Sequence, residues 1–469
     1  MRVLRRALPF VLLTALTLAQ PRETGSRWIR LRATHLEILT DAGERSARQA
    51  LDRLEQIRQV IPAGESRGPL DLRVFLFASD REYRSYAPNS SASGFYQSGL
   101  ERDYIVANAS ASLDRVIVHE YVHFVLNEKG ASLPQWLQEG TAEFYSNIDI
   151  SRSRLRVGAP IEAHRALLAR GAWLDAAALR FPPANAQGGA LYYAQSWALV
   201  HMLNLDPAYR DGMARFAQLL SGEATSVQDD ADVFRQAFGR GFEQALIDLR
   251  AYVPRLRATD VQPPPALFVA PASNAPPERL TAVDALLLRA ELAFRLGHST
   301  LAAELYRQGA RDDPNSSAAA AGLGALALAQ SRAEEARAHL ERAVRLDPRN
   351  AAAWFESAML EQDAGAGAAR VRELLEKTVA ANPNFGEAHA LLGIRATDDG
   401  RYEAAVAHLQ QAARLLPRKS YVWHALAFAQ EKTGDIPAAA QSARRAVRTA
   451  MTPEQAAMAE ALLQRVTVP

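Results

Sequence analysis

Prolines at 314, 348, 383, 417 and 453 recur at intervals of 34, 35, 34 and 36 residues. No other feature constrains the chain as much, because self-similarity at such a period means stacked copies of one supersecondary unit rather than one closed core. Equivalent positions are filled alike. In the unit ending at Pro348, Leu323-Gly324 is followed by Ala336, Leu340 and Ala343; in the unit ending at Pro417, Leu392-Gly393 is followed by Ala405, Leu409 and Ala412. Small residues let two paired helices approach closely, the leucines fill between them, and each proline stops the second helix before the next unit. Trp423, Leu426 and Ala439 continue the pattern, whereas the unit ending at Pro383 reads as irregular around Ala364-Gly-Ala-Gly367. About five units fit between 281 and 453, and Pro453 to Val466 reads as a capping helix.

These offsets resemble the tetratricopeptide repeat. The resemblance implies an all-α solenoid over residues 280–469 that holds a protein partner on its concave surface. Upstream, Pro263-Pro-Pro265, Pro271 and Pro276-Pro277 predict a stiff linker over 257–279. Residues 21–256 have another character. A strand pattern at Leu70–Ala78, a paired-strand pattern at Gly94–Gly99 and Asp103–Ala107, and helical patterns at 42–61, 112–127, 133–146, 189–205, 208–220 and 242–252 predict an α+β domain with its strands early and mostly helix beyond Pro134.

The first 20 residues carry an Arg-rich start, a 13-residue apolar run from Ala7 to Ala19 and a polar continuation. As a helix that run would be only about 20 Å long, too short for the hydrocarbon core of a bilayer. A secretory signal peptide over 1–20 is predicted, and with it an exported protein, periplasmic or extracellular, with no stable membrane span. Composition narrows the chemistry. With no cysteine among 469 residues, any metal must sit on His, Asp or Glu, and disulfides and thiol nucleophiles are excluded. Basic and acidic residues number 54 and 52, so no general attraction to nucleic acid is implied.

The chemical motif is His119-Glu120-Tyr121-Val122-His123 in a helical, apolar context. Residues four apart on a helix project from one face, so one ion can bridge both imidazoles, while Glu120 reaches a water on that ion as a general base. A second helix starting near Pro134 carries Glu139, sixteen residues after His123. With a turn at Lys129-Gly130 it folds back and brings Glu139 to the ion. Glu143, one turn further on, can hold His119 through its other nitrogen.

The combination of HExxH with Trp136-Leu-Gln-Glu-Gly-Thr-Ala-Glu143 resembles the gluzincin metallopeptidases, most specifically over 119–145. The resemblance implies one zinc ion per chain, held by His119, His123 and Glu139, and hydrolysis of a peptide or protein substrate. Leu191-Tyr-Tyr-Ala-Gln-Ser-Trp-Ala-Leu-Val-His-Met-Leu203 is similar to the gluzincin helix whose tyrosine faces the scissile carbonyl, which implies Tyr193 as oxyanion donor and Tyr192 turned away. The strand that grips a free amine in the aminopeptidase branch has no counterpart here. His201 reads as structural, and His35 and His164 as surface residues without partners.

Two expectations follow about how the parts work together. Substrate backbone would add to an edge strand at Asp103–Ala107, and a chain ending near Leu256 would keep its zinc and its activity on short peptides. The rival reading is a non-catalytic tetratricopeptide scaffold with a degenerate peptidase-like domain, against which the presence of Glu120 argues; a metallochaperone or zinc store is more remote.

Overall fold

The computed structural model describes residues 27–467 apart from 62–71, 89–91, 100–101, 111, 129–132, 152–153, 183–188, 222–229, 265–266, 268–275 and 451. The signal peptide over 1–20, the turn at Lys129-Gly130, and Pro265 and Pro271 lie outside the described residues.

The α+β domain opens with β1 (Ile29–Arg32), β2 (Leu36–Thr40), α1 (Glu44–Val60), β3 (Leu72–Phe77), α2 (Asp80–Arg84), β4 (Gly94–Gln97) and β5 (Asp103–Asn108). Next come α3 (Leu113–Glu128), α4 (Gln135–Ser146), β6 (Asp149–Ser151), β7 (Arg154–Val157), α5 (Glu162–Ala169), α6 (Ala176–Arg180), α7 (Ala190–Leu205), α8 (Met213–Ser221), α9 (Asp230–Phe238) and α10 (Phe242–Tyr252). Two short strands follow, β8 (Thr259–Val261) and β9 (Glu278–Arg279).

The main sheet has the order β4-β5-β3-β2-β1-β9. It is mixed: β2, β3 and β5 run parallel, while β4 pairs antiparallel with β5 and β1 antiparallel with both β2 and β9. Beyond Pro134 the chain is less helical than its pattern suggests. Three short strands form a second sheet, β6-β7-β8, too brief at three or four residues each to leave a readable alternation.

Why the run Val74-Phe-Leu-Phe77 is apolar throughout is visible in the sheet. Alternate side chains on a strand point to opposite faces, and here both faces are covered. Val74, Leu76, Ile105 and Ala107 pack with Leu51, Leu54 and Ile57 of α1 and with Ile117, Val118 and Tyr121 of α3. Phe75, Phe77, Tyr104 and Val106 pack instead with Leu286, Ala290 and Ala293.

Those last three residues belong to α11 (Ala282–Arg295), the first solenoid helix. It is followed by α12 (Ser299–Asp312), α13 (Ser317–Ala329), α14 (Ala333–Leu346), α15 (Ala351–Asp363), α16 (Ala368–Ala381), α17 (Gly386–Asp398), α18 (Tyr402–Leu415), α19 (Ser420–Lys432), α20 (Ile436–Arg448) and α21 (Pro453–Thr467). Within the pairs α11/α12 through α19/α20 the turn is built the same way. Gly297, Ser331, Gly365, Gly400 and Gly434 have φ of 78°, 58°, 73°, 72° and 84°. After each, the next N–H reaches back five residues, as from His298 to Ala293 and from Arg332 to Ala327, the Schellman closure of a helix. Ala364-Gly-Ala-Gly367 is therefore no irregularity: Gly365 supplies the same left-handed turn as its counterparts. Gly324 and Gly393 are where paired helices touch, since a Cβ on either would come within 2.7 Å of Leu340 or 2.5 Å of Leu409.

The expected linker does not separate two bodies. Residues 259–261 form the edge of the second sheet, Leu267 is buried in the α+β core, and residues 278–279 extend the main sheet beside β1. Proline spacing signalled a stretch without helical periodicity; a two- or three-residue strand has no periodicity to read.

Candidate metal centre

On α3 the apolar residues Ile117, Val118, Tyr121, Phe124 and Val125 face the sheet, which turns a polar stripe with a four-residue spacing the other way: Arg115, His119, His123 and Asn127. Helix α4 lies against α3, anchored by Trp136, which is fully buried and stacks 6.2 Å from Phe216 and edge-on 5.4 Å from Phe242. Gly140 then sets how closely α7 crosses. A Cβ there would lie 2.4 Å from the Ser196 carbonyl oxygen, so the glycine after Glu139 is what lets α7 bring Tyr193 to the same cleft.

The result is a triangle of donor atoms. His119 Nε2 and His123 Nε2 are 3.2 Å apart, and Glu139 Oε2 lies 3.5 Å and 3.4 Å from them. Among the described residues this trio is the one His/Asp/Glu cluster able to hold an ion. A tetrahedral site with ligands at about 2.0–2.1 Å has edges of about 3.3–3.4 Å, so the donor set fits zinc. Glu139 Oε2 is moreover buried without a hydrogen-bond partner, an expense that a buried carboxylate oxygen avoids only by meeting a cation or a donor.

The electrostatics agree with that need for positive charge. Burial works against a charged His119, but the facing carboxylate of Glu139 and those of Glu120 and Glu143 outweigh it and push the imidazole up to about 9. Burial likewise opposes ionisation of Glu139, yet the two imidazoles pull it down to about 2. The surrounding carboxylates thus favour positive charge at the position where an ion between the two nitrogens would sit. Glu120, nearly buried, is raised by desolvation and keeps a backbone hydrogen bond from Tyr96 of β4.

Glu143 lies beside the triangle with Oε1 3.5 Å from His119 Nδ1. Its Oε2 meets Arg115 Nη2 at 2.5 Å and His164 Nε2 at 3.3 Å, and although burial opposes its charge these partners hold it down to about 2. His164 is therefore not a free surface residue: it closes over Glu143 and tilts against Trp197 at 5.5 Å. No spacing in the sequence announces it, because α5 and α4 are joined through the second sheet. Arg115 could have been found, standing four residues before His119 on the same helix face. Tyr193 lies with its ring 6.2 Å from His119, while Tyr192 is buried in the core. His201 is buried between Tyr252 and the Gly158 carbonyl, with Nδ1 at 2.7 Å and Nε2 at 2.9 Å, and burial lowers it to about 4. His35 is half-buried at the start of β2.

One expectation about the cleft is corrected. Strand β5 is paired on both sides, so Asp103–Ala107 offers no edge; the free edge beside Glu120 is β4. A sequence shows that two strands pair but not which of them lies outermost.

A profile of the tetratricopeptide repeat matches residues 287–351 and 322–384, spanning α11 to α16. The solenoid is a tetratricopeptide repeat domain. Solved structures similar to the chain include PilF of Pseudomonas aeruginosa, 16% identical over 40% of this chain and 92% of that one with a TM-score of 0.33. YrrB, described as a TPR protein with an unusual peptide-binding site, is 16% identical over 38% and 91% with a TM-score of 0.30, and MamA is 17% identical over 36% and 91% with a TM-score of 0.29. No curated protein matches the chain.

The tetratricopeptide domain is locked to the sheet by charge as well as by apolar packing. Arg73, on β3, donates to Glu37 at 2.7 Å and to Glu291 of α11 at 2.8 Å, and Tyr104 donates to Glu291 at 2.8 Å. At the other end of the solenoid, Arg418 in the α18–α19 turn donates to Asn127 of α3. Among the described residues, no helix is long and apolar enough to cross a membrane.

Proposed function

We propose that the protein is an exported zinc-dependent peptidase of gluzincin type whose tetratricopeptide domain recruits the polypeptide to be cut. The observation that carries the reading is the tetrahedral-sized triangle of His119, His123 and Glu139 with Glu120 beside it. A bound zinc ion supplies Lewis acidity and brings the pKa of water close to neutral. The work of the chain's own residues is then defined. Glu120, its carboxyl raised by burial and aligned by the Tyr96 N–H, accepts a proton from the attacking water and returns it to the leaving amine. Tyr193, beside His119 and far above its ordinary pKa through burial, keeps its hydroxyl proton and donates it in a hydrogen bond to the carbonyl oxygen as negative charge develops there. Glu143, held by Arg115 and His164, orients His119 through Nδ1. The free edge of β4 offers main-chain groups to an extended substrate. For recruitment, a cavity of about 320 Å³ opens between the sheet and the first repeats, lined by Arg102, Leu287, Glu291, Phe294 and Tyr306 among others.

The test is metal analysis joined to digestion of a peptide library. Glu120→Gln is expected to keep zinc near one per chain and to lose cleavage, since an amide cannot take the proton, while Glu139→Ala loses zinc on dialysis because two protein ligands remain. Turnover close to wild type in Glu120→Gln would remove Glu120 as the base, and full zinc in Glu139→Ala would remove Glu139 as a ligand.

A further inference from the structure

The tetratricopeptide domain touches the helix that carries His119 and His123 at its far end, and the contact leads to the catalytic base. Asp103 opens β5 with its side chain fully buried. A carboxylate taken out of water is tolerated only when donors surround it, and here they include the Tyr96 O–H of β4 at 2.7 Å, the Gly99 N–H of the following turn at 3.0 Å, and Asn127 Nδ2 of α3 at 3.4 Å. Asp103 therefore ties the edge strand to the metal-bearing helix.

Tyr96 is held at both ends. Its side-chain hydroxyl is on Asp103 and its backbone N–H is on Glu120, so whatever shifts Asp103 shifts the donor that aligns the base. Asn127 stands one helical turn beyond His123, and its amide has two distinct sides. The oxygen accepts from Arg418 and the nitrogen donates to Asp103. The two partners demand the same orientation, the guanidinium facing the amide oxygen and the carboxylate facing its nitrogen, whereas a flipped amide would turn its oxygen toward the carboxylate. Arg418 thereby holds Asn127 from its other side in the orientation that keeps Asp103 satisfied. The turn that carries it is itself braced, because the Trp423 ring N–H donates to the Pro417 carbonyl at 2.8 Å.

We propose that Arg418 is a positioning residue by which the tetratricopeptide domain, through Asn127 and Asp103, holds Tyr96 and so sets the place of Glu120. The solenoid grips the α+β domain at two distant points, α11 on the back of the sheet and the α18–α19 turn on α3. A solenoid changes curvature by small rotations between repeats, so a change in its curvature is felt at Arg418. The proposal rests on the peptidase reading for its consequence in turnover, but the brace itself can be observed without it.

The experiment uses the full zinc-loaded chain with Arg418→Ala, Arg418→Lys, Tyr96→Phe and the double variant Arg418→Ala/Tyr96→Phe. Hydrogen exchange is followed peptide by peptide. Arg418→Ala is expected to speed exchange in β4 while leaving β2 and β3 unchanged, and Arg418→Lys to restore part of the protection. On a quenched fluorescent peptide pool, kcat is expected to fall about tenfold in either single variant with KM within about twofold and zinc content unchanged. The double variant should be no worse than the more damaging single one, because both cut the same path. Unchanged β4 exchange in Arg418→Ala, or losses of kcat that add independently, would overturn the proposal. A wild-type chain that cleaves nothing in the pool while its β4 exchange still answers to Arg418 would instead overturn the peptidase reading and leave the brace standing.

Discussion

Gly140 is the residue on which the site's geometry turns. It separates Glu139 from the next turn of α4, and the Ser196 carbonyl of α7 occupies the space a side chain would need. Gly140→Ala should push α4 and α7 apart, costing about 1–3 kcal/mol as overpacking does, and should lower zinc affinity more than that loss of stability explains, because Glu139 moves with its helix. Thermal denaturation with and without zinc measures both; a variant that binds zinc as well as wild type would show that the crossing does not position Glu139. His164 deserves a separate test, being the partner that spacing did not reveal. His164→Ala should weaken zinc binding or activity by about tenfold by loosening Glu143 from His119, read from competition with a chelator. The HExxH–E core was legible because helical periodicity puts its members on one face; His164 was not, because its nearness to Glu143 depends on how a strand pair returns the chain.

At the scale of elements, the repeats are most alike where the chain turns. Four of the five left-handed positions between paired helices hold glycine, and the fifth holds Ser331 at φ 58°, among the described residues the one non-glycine with positive φ. A side chain in that region costs about 1–2 kcal/mol, part of which glycine gives back as lost backbone freedom. Ser331→Gly should therefore stabilise the solenoid by about 0.5 kcal/mol, a rise of about 1–2 °C in Tm, and calorimetry showing a fall instead would mean that Ser331 makes a contact worth more than its strain. A second regularity follows the prolines. Six residues after Pro348, Pro383 and Pro417 a ring nitrogen bonds the proline carbonyl, from Trp354 at 2.8 Å, His389 at 3.0 Å and Trp423 at 2.8 Å. The offset is in the sequence, but its purpose is seen only when the carbonyl at the end of one unit faces the first helix of the next.

The whole molecule behaves as one body where its composition suggested two. Truncation near Leu256 would uncover Phe75, Phe77, Tyr104 and Val106 and remove β9, so the shortened chain is expected to aggregate or to bind a hydrophobic dye rather than to remain an active, soluble domain. A monomeric, folded fragment by light scattering would show that the interface is dispensable. The charged lock at the same interface makes a pH prediction. Burial raises Glu291, but Arg73, Arg102 and Arg295 together with the Tyr104 hydroxyl pull it down to about 2 from the usual 4.5. A carboxylate depressed in the folded state stabilises fully above its unfolded pKa and loses that contribution as pH falls through the folded one. The chain should accordingly lose stability between about pH 5 and pH 2, and Glu291→Gln should flatten that slope while being less stable than wild type at neutral pH, as followed by urea denaturation across the range.

Periodicity is a local property, and what depends on it was determined by the sequence alone: the solenoid from its proline interval, the helix bearing His119, Glu120 and His123, the second helix bearing Glu139 and Glu143, and the apolar strand, read over 70–78 and formed over 72–77. What the tertiary structure decided is which surfaces those elements meet. Leu286, Ala290 and Ala293 look like the inner stripe of any repeat helix, yet they cover a sheet. Asp103, Asn127 and Arg418 read singly as polar residues near helix or strand ends, and their contact joins positions 291 residues apart. Such pairings are chosen by the global packing that buries both faces of the main sheet, and packing of that kind leaves no period in the chain from which it can be read.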